Sequence, residues 1–165
     1  MKSKKLTLGL LIVYLIALVW IILFKFQLSF EDLSRMRSIN LIPFAGSVIV
    51  NGKVFVKEII DNALAFIPFG ILISSLWEEK PVLKRIMPVF GMSLLFEVLQ
   101  YVLALGTSDI TDLITNTLGG FIGIGIFFIL AKVFKEKKNV IINTISLICA
   151  VLLIFLLGTL IVVNL

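Results

Sequence analysis

The sequence contains no histidine and only one cysteine, Cys149, which lies within a long apolar run. Without these residues the chain has no imidazole or thiolate ligands for zinc, no disulfide framework and no Ser-His-Asp catalytic triad. Charged residues are also scarce, at 15% of the 165 positions. These absences exclude the classes of protein that are built on such groups.

Hydrophobic residues are abundant, at 60% of the chain, and the mean hydropathy is +1.17. This composition lies outside the range of soluble globular domains and indicates an integral membrane protein. The net charge of +5 does not indicate nucleic acid, because the lysines and arginines fall between hydrophobic segments, where membrane topology accounts for them. We therefore expect membrane lipids as partners and no nucleic acid.

Five hydrophobic segments are long enough to cross a bilayer, which takes about 20 helical residues. They cover residues 6–24, 59–77, 86–105, 113–134 and 140–163. The first is too long for a signal-peptide core of about 7–15 residues and is expected to be retained. The sequence thus predicts one all-α domain, residues 1–165, folded as a polytopic membrane helix bundle with about five transmembrane spans.

A long polar segment, residues 25–58, separates the first two predicted spans. It includes Pro43, and the residue before a proline is disfavoured in helical conformation. We expect this first outer loop to be extended or re-entrant and to lie at the membrane interface.

The lysines and arginines are distributed unevenly between the spans. With a cytoplasmic N-terminus, the inner segments hold Lys2, Lys4, Lys5, Lys80, Lys84, Arg85, Lys132, Lys135, Lys137 and Lys138. The first outer loop holds the other five, Lys25, Arg35, Arg37, Lys53 and Lys57. The positive-inside rule therefore favours an N-terminus in the cytoplasm and a C-terminus outside.

Polar residues interrupt the apolar sequence between positions 94 and 123. They are Glu97, Gln100, Asp109, Asp112 and Asn116. An ionisable group in lipid costs about 2.5–3.5 kcal/mol, so such residues are candidates for a functional site. Glu97 and Gln100 are expected roughly 12 Å and 7 Å from the outer end of their span. Asp61 and Asn62 begin the second span from that side, and together these positions predict a polar pocket open to the outside.

Simpler structural roles are available for most of these residues. Ser108 or Asp109 can cap the fourth helix, and Gln100 and Asn116 can form hydrogen bonds between helices. A Gly-x-x-x-Gly spacing in the fourth span is typical of close helix packing. Glu97 is harder to assign to structure alone, because a carboxylic acid at that depth must be protonated, paired with a cation or exposed to water.

Four sequence blocks follow one another along the chain. They are Asn40-Leu41-Ile42-Pro43-Phe44, Asn62 with Phe66-Ile67-Pro68-Phe69-Gly70, Glu97-Val98-Leu99-Gln100, and the run from Asp109 to Gly120. In this order, and over residues 39–125, they resemble the VanZ-like family. By motif match, the polar positions of that family fall on Asn40, Asn62, Glu97, Gln100, Asp109, Asp112 and Asn116.

The resemblance implies a small protein of the bacterial cell membrane that is associated with resistance to glycopeptide antibiotics. Teicoplanin, whose lipid tail lies in the outer leaflet, is the notable example. Many members of the family place an arginine just before the first aspartate, where this chain has Thr107 and Ser108. Arg35 or Arg37 would then have to supply a cation for a carboxylate or phosphate.

Three classes of function remain open. The first is a non-enzymatic resistance factor without a cofactor, whose outer pocket contacts a lipid-anchored molecule: the antibiotic, its cell-wall precursor target or an anionic lipid. The second is an enzyme acting on a lipid-linked substrate, with Glu97 as acid or base and with Asp109 and Asp112 holding magnesium or calcium. The third, an ion-coupled carrier, is least favoured because no internal repeat is visible.

Overall fold

The computed structural model describes residues 3–23, 37–44, 49–50, 53–54 and 56–164. Its elements, in chain order, are α1 (Lys4–Leu23), β1 (Arg37–Asn40), β2 (Ile49–Val50), β3 (Lys53–Val54), α2 (Val56–Leu76), α3 (Val82–Val102), β4 (Gly106–Asp109), α4 (Ile110–Phe134), a 3-10 turn (Lys135–Lys137) and α5 (Lys138–Asn164). The predicted all-α class fits this chain, with two pairs of very short strands added between the helices.

Each predicted span falls on one helix, and the ends differ by a few residues. α3 begins at Val82, four residues before the predicted start, after Pro81 in an extended conformation. The predicted loop between the third and fourth spans is shorter, because Gly106–Asp109 forms a strand and the helix follows at once. The stretch Arg37–Asn40 of the first loop is extended as expected, whereas Lys25 and Arg35 lie outside the described residues.

Three helical stretches of the described chain are long and apolar enough to cross a membrane. They are Lys4–Leu23, Lys57–Leu76 and the 50-residue stretch Ile110–Thr159. At about 1.5 Å per residue the last is about 75 Å long, more than twice a hydrocarbon core of about 30 Å. It contains α4 and most of α5, separated by the 3-10 turn, where Lys135 has a positive φ of 46°.

α3 is not among these three stretches. A helix of a soluble protein buries apolar side chains and exposes polar ones, whereas α3 buries several polar side chains and exposes apolar ones. Ser93, Glu97 and Gln100 are buried. The exposed residues of the helix include Leu83, Met87, Phe90, Leu94, Leu95, Val98 and Val102. A helix that presents apolar residues outward and polar residues inward is suited to a lipid environment.

Close contact between α2 and α4 forms the centre of the bundle. A Cβ added to Gly119 would collide with the carbonyl oxygen of Ala63, and one added to Gly123 would collide with that of Ile67. The paired residue numbers rise together, so α2 and α4 run in the same direction. The expected packing role of the Gly-x-x-x-Gly spacing is confirmed, since only glycine lets the two backbones approach this closely.

α3 runs opposite to α4. Val89 of α3 faces Gly120, and Ser93 one turn later is hydrogen-bonded to Asn116, so the numbers on one helix rise as those on the other fall. α1 has the direction of α3, because Gln100 near the end of α3 bonds the carbonyl of Ile22 near the end of α1. The ends of α1 and α3 therefore meet the starts of α2 and α4.

Polar contacts join the opposite end of the bundle, where α1, α3 and α5 begin. They are the hydrogen bonds of Thr7 with Asn143 and of Ser75 with Asn139, and the ion pair of Lys138 with Glu78. Arg85, which is 4% exposed, also lies here and donates to the carbonyls of Lys80 and Glu78. These contacts fix the α2–α3 connection and the start of α5 to the same end.

The glycine contacts predict a sharp difference between two substitutions on α4. Gly123→Ala should destabilise the protein by about 1–3 kcal/mol, because the new methyl group overlaps the Ile67 backbone, which cannot move aside as a side chain would. Gly125→Ala meets no atom within 4 Å and should be neutral or stabilising by up to about 1 kcal/mol through helix propensity. Unfolding of both variants in detergent micelles would measure this, and equal stabilities would contradict it.

Candidate functional site

The two strands β1 and β4 attach the first loop to the start of α4. They pair in parallel, with Arg37 opposite Gly106 and Asn40 opposite Asp109. A hydrogen bond of 2.6 Å between the hydroxyls of Ser38 and Thr107 supports this register. The pairing places Asn40 beside Asp109, although the two residues are 69 positions apart in sequence.

Asp109 is the N-cap of α4, which confirms one of the two capping positions expected from the sequence. Its backbone is extended, with φ −123° and ψ 125°, and its Oδ1 accepts a hydrogen bond from the Thr111 amide at 2.7 Å. Its Oδ2 accepts from Asn40 Nδ2 at 3.0 Å. Both carboxylate oxygens are thus engaged in holding the helix start and the first loop together.

The residues after β1 are also fixed to α4. The amide of Phe44 donates to Thr111 Oγ1 at 2.9 Å, and the amide of Ile42 donates to Asn40 Oδ1 at 3.2 Å. Phe44 has a φ of 62°, a left-handed conformation that costs a residue with a side chain about 1–2 kcal/mol. The contact with Thr111 helps to hold this segment against the helix.

Glu97 connects the last turns of α3 to the strand-to-helix junction. Its Oε2 accepts a hydrogen bond from the Asp109 amide at 2.7 Å, and its side chain is only 5% exposed. Its Oε1 is buried and meets no partner at hydrogen-bond geometry among the described residues, although the Ser108 hydroxyl is near enough to interact with the carboxyl group. Asp112 and Asp109 are near enough to act on Glu97 electrostatically, and both are acidic.

Gln100 lies one turn after Glu97 on α3. Asn116, on α4, contacts α3 one turn before Glu97, at Ser93. Asn116, which is completely buried, donates from Nδ2 to Ser93 Oγ at 3.0 Å. Gln100, at 4% exposure, donates from Nε2 to the Ile22 carbonyl at 3.3 Å. In the described chain neither side-chain oxygen, Asn116 Oδ1 or Gln100 Oε1, has a partner.

Six of the seven residues selected from the sequence therefore lie around the junction of α3, β4 and α4. We call this group the polar cluster: Asn40, Glu97, Gln100, Asp109, Asp112 and Asn116. The seventh, Asn62, is half-buried on α2 and has no hydrogen bond to another described residue. Its neighbour Asp61 is exposed, and the next residue of α2, Ala63, lies against Gly119 of α4.

Arg37 does not serve as the expected cation of the cluster. Its guanidinium is exposed, donates to the Val102 carbonyl at 3.1 Å and lies 5.7 Å from the centre of the Tyr101 ring. Tyr101 itself is 39% exposed and turned away from the buried face of α3. The other candidate, Arg35, lies outside the described residues.

Two residues of the site were not selected from the sequence. Ser93 binds Asn116, and its spacing of four and seven residues before Glu97 and Gln100 places all three on one helix face, a signal that was available. Thr111, which receives the Phe44 amide, had no such signal, because its role depends on a loop that returns from a distant part of the chain.

The arrangement gives no support to a metal ion. In the part of the chain that the structure describes, no three acidic, histidine or cysteine side chains are grouped so that they could hold one. Asp109, one of the two proposed ligands, already uses both oxygens for hydrogen bonds. The magnesium or calcium site at Asp109 and Asp112 stays a prediction.

The fold and the cluster define a small helical membrane protein with a buried polar cluster where α3 ends and α4 begins. Residues 11–131, which include the whole cluster, match the VanZ/LLP1 family, and the chain belongs to this family. It is 40% identical over 138 residues to Protein VanZ of Enterococcus faecium, with 82% of each chain covered. The resemblance read from the motifs is thus confirmed. No solved structure matches.

The bond between Asn40 and Asp109 predicts energetic coupling between distant parts of the sequence. Asp109→Ala should cost about 0.5–2 kcal/mol, since it removes the helix cap. In a double-mutant cycle with Asn40→Ala, unfolding in detergent should show a coupling on the order of 1 kcal/mol. Pairing Asn40→Ala with Asp61→Ala is the control and should be additive. If the effects on the free energy of unfolding were additive in both cycles, the coupling between Asn40 and Asp109 would be disproved.

Proposed function

We propose that this protein protects the cell against lipoglycopeptide antibiotics such as teicoplanin, through contact between the polar cluster and a lipid-anchored molecule. The observation that carries the proposal is the group of buried polar residues, Glu97, Gln100 and Asn116, where α3 ends and α4 begins. Membership of the VanZ/LLP1 family supports a role in glycopeptide resistance.

In this proposal the chain crosses the membrane five times, with its N-terminus in the cytoplasm and its C-terminus outside. The alternating directions of α1 to α4 support this topology. Lys80, Arg85 and Lys138 lie at the end of the bundle opposite to the cluster, which fits a cytoplasmic location for the basic end. The polar cluster then lies in the outer leaflet, near the lipid headgroups.

The surroundings of the cluster suit a ligand with a lipid tail. Leu41 and Ile42, which follow the cluster residue Asn40, are 72% and 67% exposed. On the other side, Val102 and Leu103 at the end of α3 are 57% and 54% exposed. A molecule held by its polar group at the cluster could place its chain against these apolar residues. Such binding requires no chemical reaction.

Single substitutions in the cluster should lower resistance without removing the protein from the membrane. Glu97→Gln, Asp112→Asn and Asn116→Ala each change a polar group while altering side-chain volume little or reducing it. We expect each to lower the teicoplanin concentration that expressing cells tolerate by at least about fourfold, equivalent to roughly 1 kcal/mol of binding. Susceptibility tests combined with the amount of protein in the membrane would measure this.

Glu79→Gln provides the matched control for Glu97→Gln, because Glu79 is an exposed glutamate near the start of α3 at the opposite end of the bundle. Its resistance should equal that of the unchanged protein. If all three cluster variants keep full resistance at normal membrane levels, the proposed function is wrong.

The topology can be tested separately by labelling with a thiol reagent that does not cross membranes. Cys149→Ser removes the cysteine, after which Ser108→Cys and Glu136→Cys introduce one thiol at each end of α4. In intact cells we expect labelling at position 108 and none at position 136 until the membrane is opened. The reverse pattern would place the polar cluster on the cytoplasmic side.

A further inference from the structure

The polar cluster contains buried side-chain atoms that have no hydrogen-bond partner. At this end of the bundle, in the ranges that the structure describes, they are Glu97 Oε1, Gln100 Oε1 and Asn116 Oδ1. All three are oxygen acceptors, and each belongs to a side chain that is at most 5% exposed. The unpartnered arginine nitrogen, Arg85 Nη1, lies at the other end of the bundle.

The three acceptors lie along one face of α3. Glu97 and Gln100 are three residues apart on that helix, and Asn116 is bonded to Ser93, four residues before Glu97. Seven residues of helix rise about 10 Å, which is the length of face that these groups share. Glu97 lies in the middle of this stretch and is the only ionisable residue of the three.

The residues around these oxygens are acidic. Asp109 and Asp112 act on Glu97 as like charges, while the exposed Arg37 contacts a carbonyl and an aromatic ring. An anionic group would be repelled by the acids and would bring only acceptors to sites that already lack donors. A buried acceptor without a donor is unfavourable, so the site requires a partner rich in N–H or O–H groups.

We propose that the polar cluster binds the primary ammonium group of a membrane-anchored amphiphile. An ammonium group carries three N–H donors, no acceptor and one positive charge. One of its N–H groups can donate to the unpartnered Glu97 Oε1 while its charge offsets that of Glu97. The inference rests on the proposed function and narrows it, because it excludes the anionic lipid that the sequence left among the possible ligands.

Phospholipids provide matched probes for this proposal. Phosphatidylethanolamine carries a primary ammonium, phosphatidylcholine carries a quaternary ammonium without any N–H donor, and phosphatidylglycerol carries hydroxyl groups and a net negative charge. The purified full chain would be equilibrated with equal amounts of the three lipids with identical acyl chains. Native mass spectrometry would then count the molecules of each that remain bound. Propylamine, added as a competitor, would separate recognition of the free amine from recognition of the whole lipid.

We expect phosphatidylethanolamine to be retained about tenfold over the other two, as a charged hydrogen-bonded contact implies. Glu97→Gln should abolish most of this preference, Glu97→Asp should keep part of it, and Glu79→Gln should leave it unchanged. Equal retention of phosphatidylethanolamine and phosphatidylcholine would overturn the inference, and so would a preference for phosphatidylglycerol, which would point to hydroxyl recognition. A preference that survives Glu97→Gln would also overturn it.

The lipid assay and the resistance assay can fail independently. If Glu97→Gln loses resistance but the unchanged protein shows no preference for the ammonium lipid, the ammonium proposal is wrong and the proposed function stands. If the preference is present and is lost in Glu97→Gln while resistance is kept, the cluster binds ammonium but the resistance proposal is wrong.

Discussion

The direct contact of backbones between α2 and α4 determines where the other parts of this protein lie. Within a bilayer the hydrophobic effect does not draw helices together, so association depends on packing and on hydrogen bonds. Gly119 and Gly123 remove the side chains that would keep the two helices apart. With α2 and α4 held side by side in the same direction, α3 must return between their opposite ends. The polar cluster forms where α3 finishes and α4 begins.

Some polar atoms of the cluster have hydrogen-bond partners, and others have none among the described residues. Asp109 has both oxygens bonded and serves to join the helix start, the strand β1 and the first loop. Glu97, Gln100 and Asn116 each use one end of the side chain to join elements and leave an oxygen unpaired. The structural role of these three residues therefore occupies only part of each side chain, which residue type alone could not show.

Much of the fold follows from local features of the sequence. Continuous apolar runs predict the helices, the glycine spacing predicts the α2–α4 contact, and Asp109 has the residue type and position of a helix cap. The pairing of β1 with β4 could not be predicted, because strands of four residues carry little signal and their register depends on helices between them. The position of Phe44 and the role of Thr111 depend on that pairing. The half-buried Asn62 has no hydrogen bond to another described residue that would show its role, so its place in the site stays a prediction.

The parallel pairing of β1 with β4 also makes the site depend on the helices between the two strands. Parallel strands need a crossover connection, and here the crossover consists of β2, β3, α2 and α3. The contact between Asn40 and Asp109 closes a long stretch of chain, which carries an entropic cost unless the helices between them hold the two strands together. The joined strands therefore depend on the placement of α2 and α3, and a displacement of either helix would separate Asn40 from Asp109.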